Sequence, residues 1–152
     1  NLNINISVQP RYSIVGISIN GEPIDVATSF VKSIHQTNGF VTDETNIVRL
    51  EFTKLYWTDV RQALDGYGTK EAPYLISTPE NLAYMAYIIN NGVIDQSLNR
   101  IYYKVTNDID LSARFWVPIG TSKNPFDGTF ILGKYKIVGS KLCTFRCRVS
   151  SR

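Results

Sequence analysis

The first part of the chain alternates polar and apolar residues with the period of a β-strand. The alternation runs through residues 3–8 and 12–19, and again through 46–57. Asn20-Gly21 directly follows the second run, and this dipeptide is a strong signal for a two-residue hairpin turn. Residues 25–35 are ambiguous, because apolar residues at near-helical spacing coincide with many β-branched side chains. The pattern predicts a small β-rich, repeat-like module over residues 1–57.

Residues 58–70 contain two glycines, and we interpret this segment as a linker. After the linker the strand-like alternation gives way to a helical pattern. Thr78 followed by Pro79 is typical of a helix N-terminus, with Thr78 as the N-cap. An apolar stripe at helical spacing then leads to Asn91-Gly92, which is typical of a helix end. The stripe predicts one α-helix, with an apolar face made of Leu82, Met85, Ala86 and Ile89.

Short strands separated by regular turns are predicted for the rest of the chain, as in stacked coils or a meander. The predicted fold class is therefore mainly β with one α-helix, and the second module covers residues 71–152. Its predicted strands are 73–76, 100–106, 116–119, 128–132 and 136–138.

Composition narrows the class of protein. Of the 152 residues, 43% are hydrophobic and 19% are charged, which indicates folded modules instead of a disordered tail. No run approaches the ~18 apolar residues of a membrane span, so no membrane insertion is expected. The chain starts at Asn1 without Met or a secretory signal, and we expect it to be a processed or excised piece.

The formal net charge of +3 is a property of the C-terminal segment. The last twenty residues contain six Lys and Arg and no acidic residue. Such a segment is either a contact for nucleic acid or a solvated end. Because no aromatic and basic recognition motif accompanies the charge, we favour the solvated end and expect no nucleic-acid partner.

Both cysteines, Cys143 and Cys147, lie in this basic segment. In an extended strand they would be ~13 Å apart, beyond the reach of a disulfide, so a bridge requires a turn between them. We expect free thiols. A zinc site is not expected, because neither a second pair of cysteines nor a nearby histidine is present.

Catalytic chemistry has little support in the sequence. His35 is the only histidine, and no Gly-x-Ser-x-Gly motif surrounds a serine, so the chain is not expected to be an enzyme. Asp108 and Asp110 form the best carboxylate pair. They could bind calcium, act as a glycosidase acid pair, or bond to the backbone of a turn, and we favour the turn.

Aromatic residues are the other candidate for binding. The chain has nine Tyr, seven Phe and two Trp, and several are adjacent. Neighbouring residues of a strand point to opposite faces, so one ring of each pair could face solvent and stack on a sugar. The candidates for ligand binding are Trp116, Tyr102 and Tyr103, with packing of Trp116 against the helix as the alternative.

The second half of the chain resembles a known kind of module. The residues that carry the resemblance are 68–86 (GTKEAPYLISTPENLAYMA), 103–112 (YKVTNDIDLS), 116–120 (WVPIG) and 124–130 (NPFDGTF). They are similar to the bacterial cell-surface module that precedes GLUG-type repeats. This resemblance implies the helix-capped start of a right-handed β-solenoid. The chain departs from the family pattern at its far end, where we expect no further coil after Gly139. The last coil would then have an open edge, which favours edge-to-edge self-association.

Residues 11–54 resemble, more weakly, the short β repeats found beside such modules. Together the resemblances imply a non-enzymatic module of an extracellular bacterial surface protein, an adhesin or stalk part that presents a binding region. Its partner would be a host or cell-wall glycan or a protein, and calcium is the one cofactor considered. The alternative is a carbohydrate-binding accessory, or the edge of a secreted β-helix enzyme that acts on polysaccharides.

Overall fold

A computed structural model describes residues 2–24, 31–36, 45–94, 101–143 and 149–150, and describes side chains in 6–24, 45–94 and 101–143. The chain forms two compact units, Asn1–Leu55 and Tyr56–Arg152. Within these residues the fold is mainly β with one α-helix, as predicted, and the strands form small sheets without a closed barrel. The strands are β1 (Leu2–Ser7), β2 (Tyr12–Ile19), β3 (Glu22–Ile24), β4 (Val31–Gln36), β5 (Val48–Lys54), β6 (Tyr74–Ile76), β7 (Tyr102–Val105), β8 (Ile109–Asp110), β9 (Thr129–Ile131), β10 (Ile137–Val138) and β11 (Val149–Ser150).

The first unit is antiparallel throughout its described strands. One sheet has the order β3-β2-β5, and β1 pairs with β4 in another. Asn20 and Gly21 join β2 to β3 with φ angles of 51° and 89°. Because positive φ at both central residues defines the type I′ turn, the predicted hairpin is confirmed. A register shift between Ile14 and Gly16 places a bulge in β2.

Two predictions for the first unit change in detail. The strand predicted over 46–57 is shorter, because β5 ends at Lys54 and Trp57–Val60 form a 3-10 helix. In that turn the Asp59 carboxylate accepts a hydrogen bond from the Tyr56 N–H at 3.1 Å. Within the ambiguous segment 25–35, the part from Val31 onward is strand β4, whereas 25–30 and the turn predicted at 38–39 lie outside the described residues.

The second unit is built on parallel pairing. Its main sheet has the order β6-β7-β9-β11, so these strands lie side by side in the order in which they follow along the chain. The two strands between them in sequence, β8 and β10, form a second sheet. Tyr74 pairs with Tyr103, and Tyr103 with Phe130, so aromatic residues occupy one row across three strands. The second sheet pairs β8 with β10 in parallel, with Ile109 opposite Ile137.

The strands of the second unit differ from prediction at three places. Residues 116–119 are not a strand, and only Ile119 forms an isolated parallel bridge, to Cys143. β8 and β11 were not predicted, whereas the equally short β10 lies within the predicted strand 136–138. Beyond Gly139 strand β11 pairs in parallel with β9, and the expectation that no solenoid coil follows Gly139 stays a prediction.

The helix, α1, spans Pro79–Asn90, as predicted. Thr78 is its N-cap, and the Thr78 Oγ1 accepts a hydrogen bond from the Asn81 N–H at 3.2 Å. The predicted apolar stripe is buried, which confirms the face of the helix. It joins the core of the second unit, made of Trp57, Ile76, Leu82, Ala83, Met85, Ala86, Ile88, Ile89, Ile101, Tyr103, Val105, Ile109, Leu111, Trp116, Ile119, Phe126 and Phe130.

Residues 58–70, interpreted as a linker, are instead folded into the second unit. The Gln62 N–H donates to the Glu80 carbonyl at 3.1 Å, and the Leu75 N–H donates to the Asp65 carbonyl at 2.8 Å. The two units divide at Leu55 and Tyr56, just before this segment. Its glycines have positive φ angles, so they serve turns that favour glycine and not a flexible connection.

Candidate functional site

Asp108 lies directly before β8 and Asp110 is the last residue of β8, where the chain passes from one parallel sheet to the other. The Asp108 Oδ1 accepts a hydrogen bond from the Lys136 N–H at 3.0 Å. The Asp110 Oδ1 accepts one from the Ser112 N–H at 2.8 Å. The Asp110 carboxylate therefore bonds to the turn that follows it, as the sequence analysis favoured, whereas the Asp108 carboxylate bonds to the backbone directly before β10, 28 residues away.

The Asp108 carboxylate also faces the Lys136 ammonium, with Oδ2 and Nζ 4.0 Å apart. The two side chains are 59% and 73% exposed, so water screens the pair and its contribution to stability is small. Within the part of the chain whose side chains are described, no three His, Cys, Asp or Glu residues group into a metal site. Calcium binding at Asp108 and Asp110 stays a prediction.

Two of the three aromatic binding candidates are buried. Tyr103 has no exposed surface, and its ring lies 5.7 Å from the Tyr74 ring and 5.9 Å from the Phe126 ring, centroid to centroid. Trp116 is 9% exposed and belongs to the same core. Only Tyr102 retains partial exposure. Burial leaves Tyr103 and Trp116 without a free ring face for a sugar, so their role is packing.

Both tryptophans make the same kind of hydrogen bond. The Trp57 Nε1–H donates to the Leu111 carbonyl at 3.1 Å, and the Trp116 Nε1–H donates to the Leu142 carbonyl at 3.2 Å. Each follows an aromatic residue, and those two residues, Tyr56 and Phe115, form a parallel bridge with ring centroids 5.6 Å apart. The repeated aromatic-Trp pair was visible in the sequence, but its partners were not.

Two asparagines of α1 tie the helix to loops that are distant in sequence. The Asn81 Nδ2 donates to the Ala63 carbonyl at 3.1 Å. The Asn90 Nδ2 donates to the Pro118 carbonyl at 2.9 Å, and the Asn90 Oδ1 accepts from the Gly120 N–H at 2.7 Å. Sequence reasoning missed both, because an asparagine within a helix gives no signal about its partner.

His35 and the cysteines complete the sequence candidates. His35 lies in β4, where its backbone is paired with Asn3, and its side chain is outside the described part. Cys143 is disulfide-bonded, so the expectation of free thiols is wrong for this residue. The other cysteine of the chain, Cys147, lies outside the described residues. The sequence analysis gave a turn between the two cysteines as the condition for a bridge, and it favoured the extended arrangement in which they stay free.

The basic C-terminal segment is described only in part. Lys134, Lys136 and Lys141 are exposed, and the Lys134 Nζ lies 5.5 Å from the centroid of the Tyr135 ring. The remaining cations of the segment lie outside the described residues. The sequence-based preference for a solvated end over a nucleic-acid contact stays a prediction.

One exposed aromatic side chain was not among the candidates. Tyr67 is 84% exposed, which is the highest value among the large hydrophobic side chains that the structure describes. It lies between Gly66 and Gly68, in the segment that the sequence analysis interpreted as a linker. The glycine spacing was the available signal, and it indicated a turn without indicating that the turn carries an exposed aromatic ring.

Comparison with known proteins gives limited information. No family model matches the chain, and no solved structure matches it. Over 80 residues the chain is 34% identical to a protein of Evansella cellulosilytica that is provisionally named a Gly-rich membrane protein. The match covers 49% of this chain and 8% of the relative, so the chain spans less than a tenth of that protein. In this chain, none of the described helices is long and apolar enough to cross a membrane.

Proposed function

We propose that this chain is a non-enzymatic module of an extracellular bacterial surface protein, in which a helix-capped β-solenoid holds a binding region in place. The observation that carries the proposal is the parallel sheet β6-β7-β9-β11. Each strand pairs in register with the next one, and the rows Tyr74-Tyr103-Phe130 and Ile109-Ile137 repeat the same kind of residue. Such nearest-neighbour stacking is the construction principle of solenoid proteins.

The handedness of the proposed solenoid follows from a general rule. A connection between parallel strands of one sheet is right-handed in nearly all proteins, because right-handed strand twist favours that crossover. α1 packs its apolar face into the core beside β6, the first strand of the stack, which is the place of a cap. The helix would cover the apolar end that a stack of coils otherwise exposes.

Further observations support a scaffold role. The Asp108 and Asp110 carboxylates bond to backbone N–H groups, and Tyr103 and Trp116 fill the core. Cys143 is disulfide-bonded, and disulfides persist in extracellular compartments. The relative from Evansella cellulosilytica is much longer than the matched region, as expected when a module is one part of a large protein.

Surface labelling tests the location. An antibody raised against this chain should label intact cells of the source bacterium, and brief protease treatment of intact cells should remove the signal. Labelling that requires permeabilised cells would contradict an extracellular location. The non-enzymatic part is tested separately, by incubating the chain with polysaccharides and peptidoglycan and measuring released reducing ends, of which we expect none above background.

A further inference from the structure

A rigid loop presents the ring of Tyr67 to solvent. We name residues 65–72 the Tyr67 loop. The Tyr67 N–H donates to the Ala72 carbonyl at 3.0 Å, and the Thr69 N–H donates to the same carbonyl at 3.3 Å. The Ala72 N–H in turn donates to the Thr69 Oγ1 at 3.0 Å. These bonds close the loop on itself.

The backbone of the Tyr67 loop is also bonded to the parallel sheet on each side of Tyr67. The Leu75 N–H of β6 donates to the Asp65 carbonyl at 2.8 Å, and the Tyr102 N–H of β7 donates to the Gly68 carbonyl at 2.9 Å. The loop therefore moves with the two strands and does not swing freely.

The glycines beside Tyr67 set the direction of the ring. Gly66 and Gly68 have φ angles of 101° and 72°, which only glycine adopts readily. A Cβ at Gly68 would lie 2.5 Å from the Tyr74 Cε2, so the backbone packs directly against that ring. Since the backbone on each side is fixed, only the two side-chain torsions of Tyr67 remain to be ordered when a ligand binds, and the entropic cost is small.

The surroundings of the ring indicate the kind of ligand. The other exposed side chains of the loop are polar or charged, namely Asp65, Thr69, Lys70 and Glu71. A hot spot of a protein–protein interface differs from this arrangement, because its aromatic anchor lies within a packed rim of contacts that excludes water. A single aromatic face among hydrogen-bonding groups matches a sugar ring, which has an apolar C–H face and polar hydroxyl edges.

We propose that the Tyr67 loop is a carbohydrate-binding site, in which the Tyr67 ring stacks on the face of a pyranose and the polar side chains of the loop bond to its hydroxyls. This site differs from the aromatic candidates chosen from the sequence. The proposal does not require that the module be a solenoid or lie at a cell surface, so the two proposals fail separately.

Pull-down and affinity electrophoresis test the site directly. The probes are insoluble cellulose, chitin and peptidoglycan, and soluble xylan, mannan and mixed-linkage β-glucan. The proteins are the unchanged chain, Tyr67→Ala, Tyr67→Trp and, as a control, Phe52→Ala, which removes an aromatic ring that is 50% exposed and lies outside the Tyr67 loop. We expect binding to at least one probe, a loss of about tenfold in affinity for Tyr67→Ala, and retention within about twofold for Tyr67→Trp and Phe52→Ala.

The design separates the site from a general change of structure. Because Tyr67 is exposed, Tyr67→Ala should keep the circular dichroism spectrum and melting temperature of the unchanged chain. Binding to none of the six probes would overturn the proposal. The proposal would also be overturned by binding that Tyr67→Ala leaves intact, by binding that Tyr67→Trp abolishes, or by binding that Phe52→Ala weakens as much as Tyr67→Ala does.

Discussion

The two tryptophan hydrogen bonds allow a paired prediction about the stability of the second unit. Trp57 and Trp116 are 7% and 9% exposed, so replacing either by Phe removes nearly the same buried surface. The acceptors differ. Leu111 is fully buried and its carbonyl takes the Trp57 bond, whereas the Leu142 carbonyl is part-buried and also accepts the Ile119 N–H at 3.0 Å.

The difference in acceptors sets the expected magnitudes. Trp116→Phe removes one of the two hydrogen bonds that the Leu142 carbonyl accepts, and the loss of this bond should cost about 1 kcal/mol. Trp57→Phe removes the bond to a buried carbonyl, and the desolvated oxygen raises the cost to about 2 kcal/mol. The smaller ring adds about 1 kcal/mol to both variants. Trp57→Phe should therefore be the more destabilising change by about 1 kcal/mol.

Urea unfolding followed by tryptophan fluorescence measures this difference. The chain contains two tryptophans, and both lie in the unit Tyr56–Arg152, so the signal reports that unit alone. Each variant keeps one tryptophan as its reporter. Free energies from linear extrapolation can be compared if the urea dependence is unchanged. Equal costs, or a larger cost for Trp116→Phe, would refute the argument from the acceptors.

Three further predictions concern the second unit. Gly68→Ala should destabilise the second unit by at least about 2 kcal/mol more than Gly133→Ala. Both glycines have positive φ, but only at Gly68 would the added Cβ lie 2.5 Å from an atom of a neighbouring ring, and equal melting temperatures of the two variants would contradict this reasoning. Asn90→Ala should lower the free energy of unfolding in urea by about 2 kcal/mol, because it removes the side-chain bonds to Pro118 and Gly120. Asn91→Ala removes only an exposed hydrogen bond and should lower it by less than about 1 kcal/mol, and the reverse order would show that Asn90 does not anchor the helix. Cys143→Ser should lower the free energy of unfolding by about 2 kcal/mol, and a reducing agent should lower the stability of the unchanged chain but not of the variant; a chain insensitive to reduction would contradict a stabilising disulfide.

Local chemistry accounts for the elements that the sequence predicted. Thr78 and Pro79 begin α1 because a hydroxyl acceptor and a preset φ both favour a helix start, and neither depends on the rest of the fold. Asn20-Gly21 forms its hairpin because these two residues tolerate positive φ. The apolar stripe of α1 fixes which face is buried before any partner is known.

The tertiary structure decided the features for which residues distant in sequence must meet. The length of β8 and β11 depends on pairing with β10 and β9, and two-residue strands carry no period of their own. The adjacent residues Tyr102 and Tyr103 differ in burial because only one of them faces the core, and the sequence could not say which. The glycines of 58–70 indicated a flexible linker, yet the Gly68 carbonyl accepts the Tyr102 N–H and Gly68 packs on Tyr74. Sequence patterns determine local backbone preferences, whereas burial and hydrogen-bond partners depend on which strands lie side by side. The exposure of the Tyr67 ring is one of the features that only the tertiary structure decided.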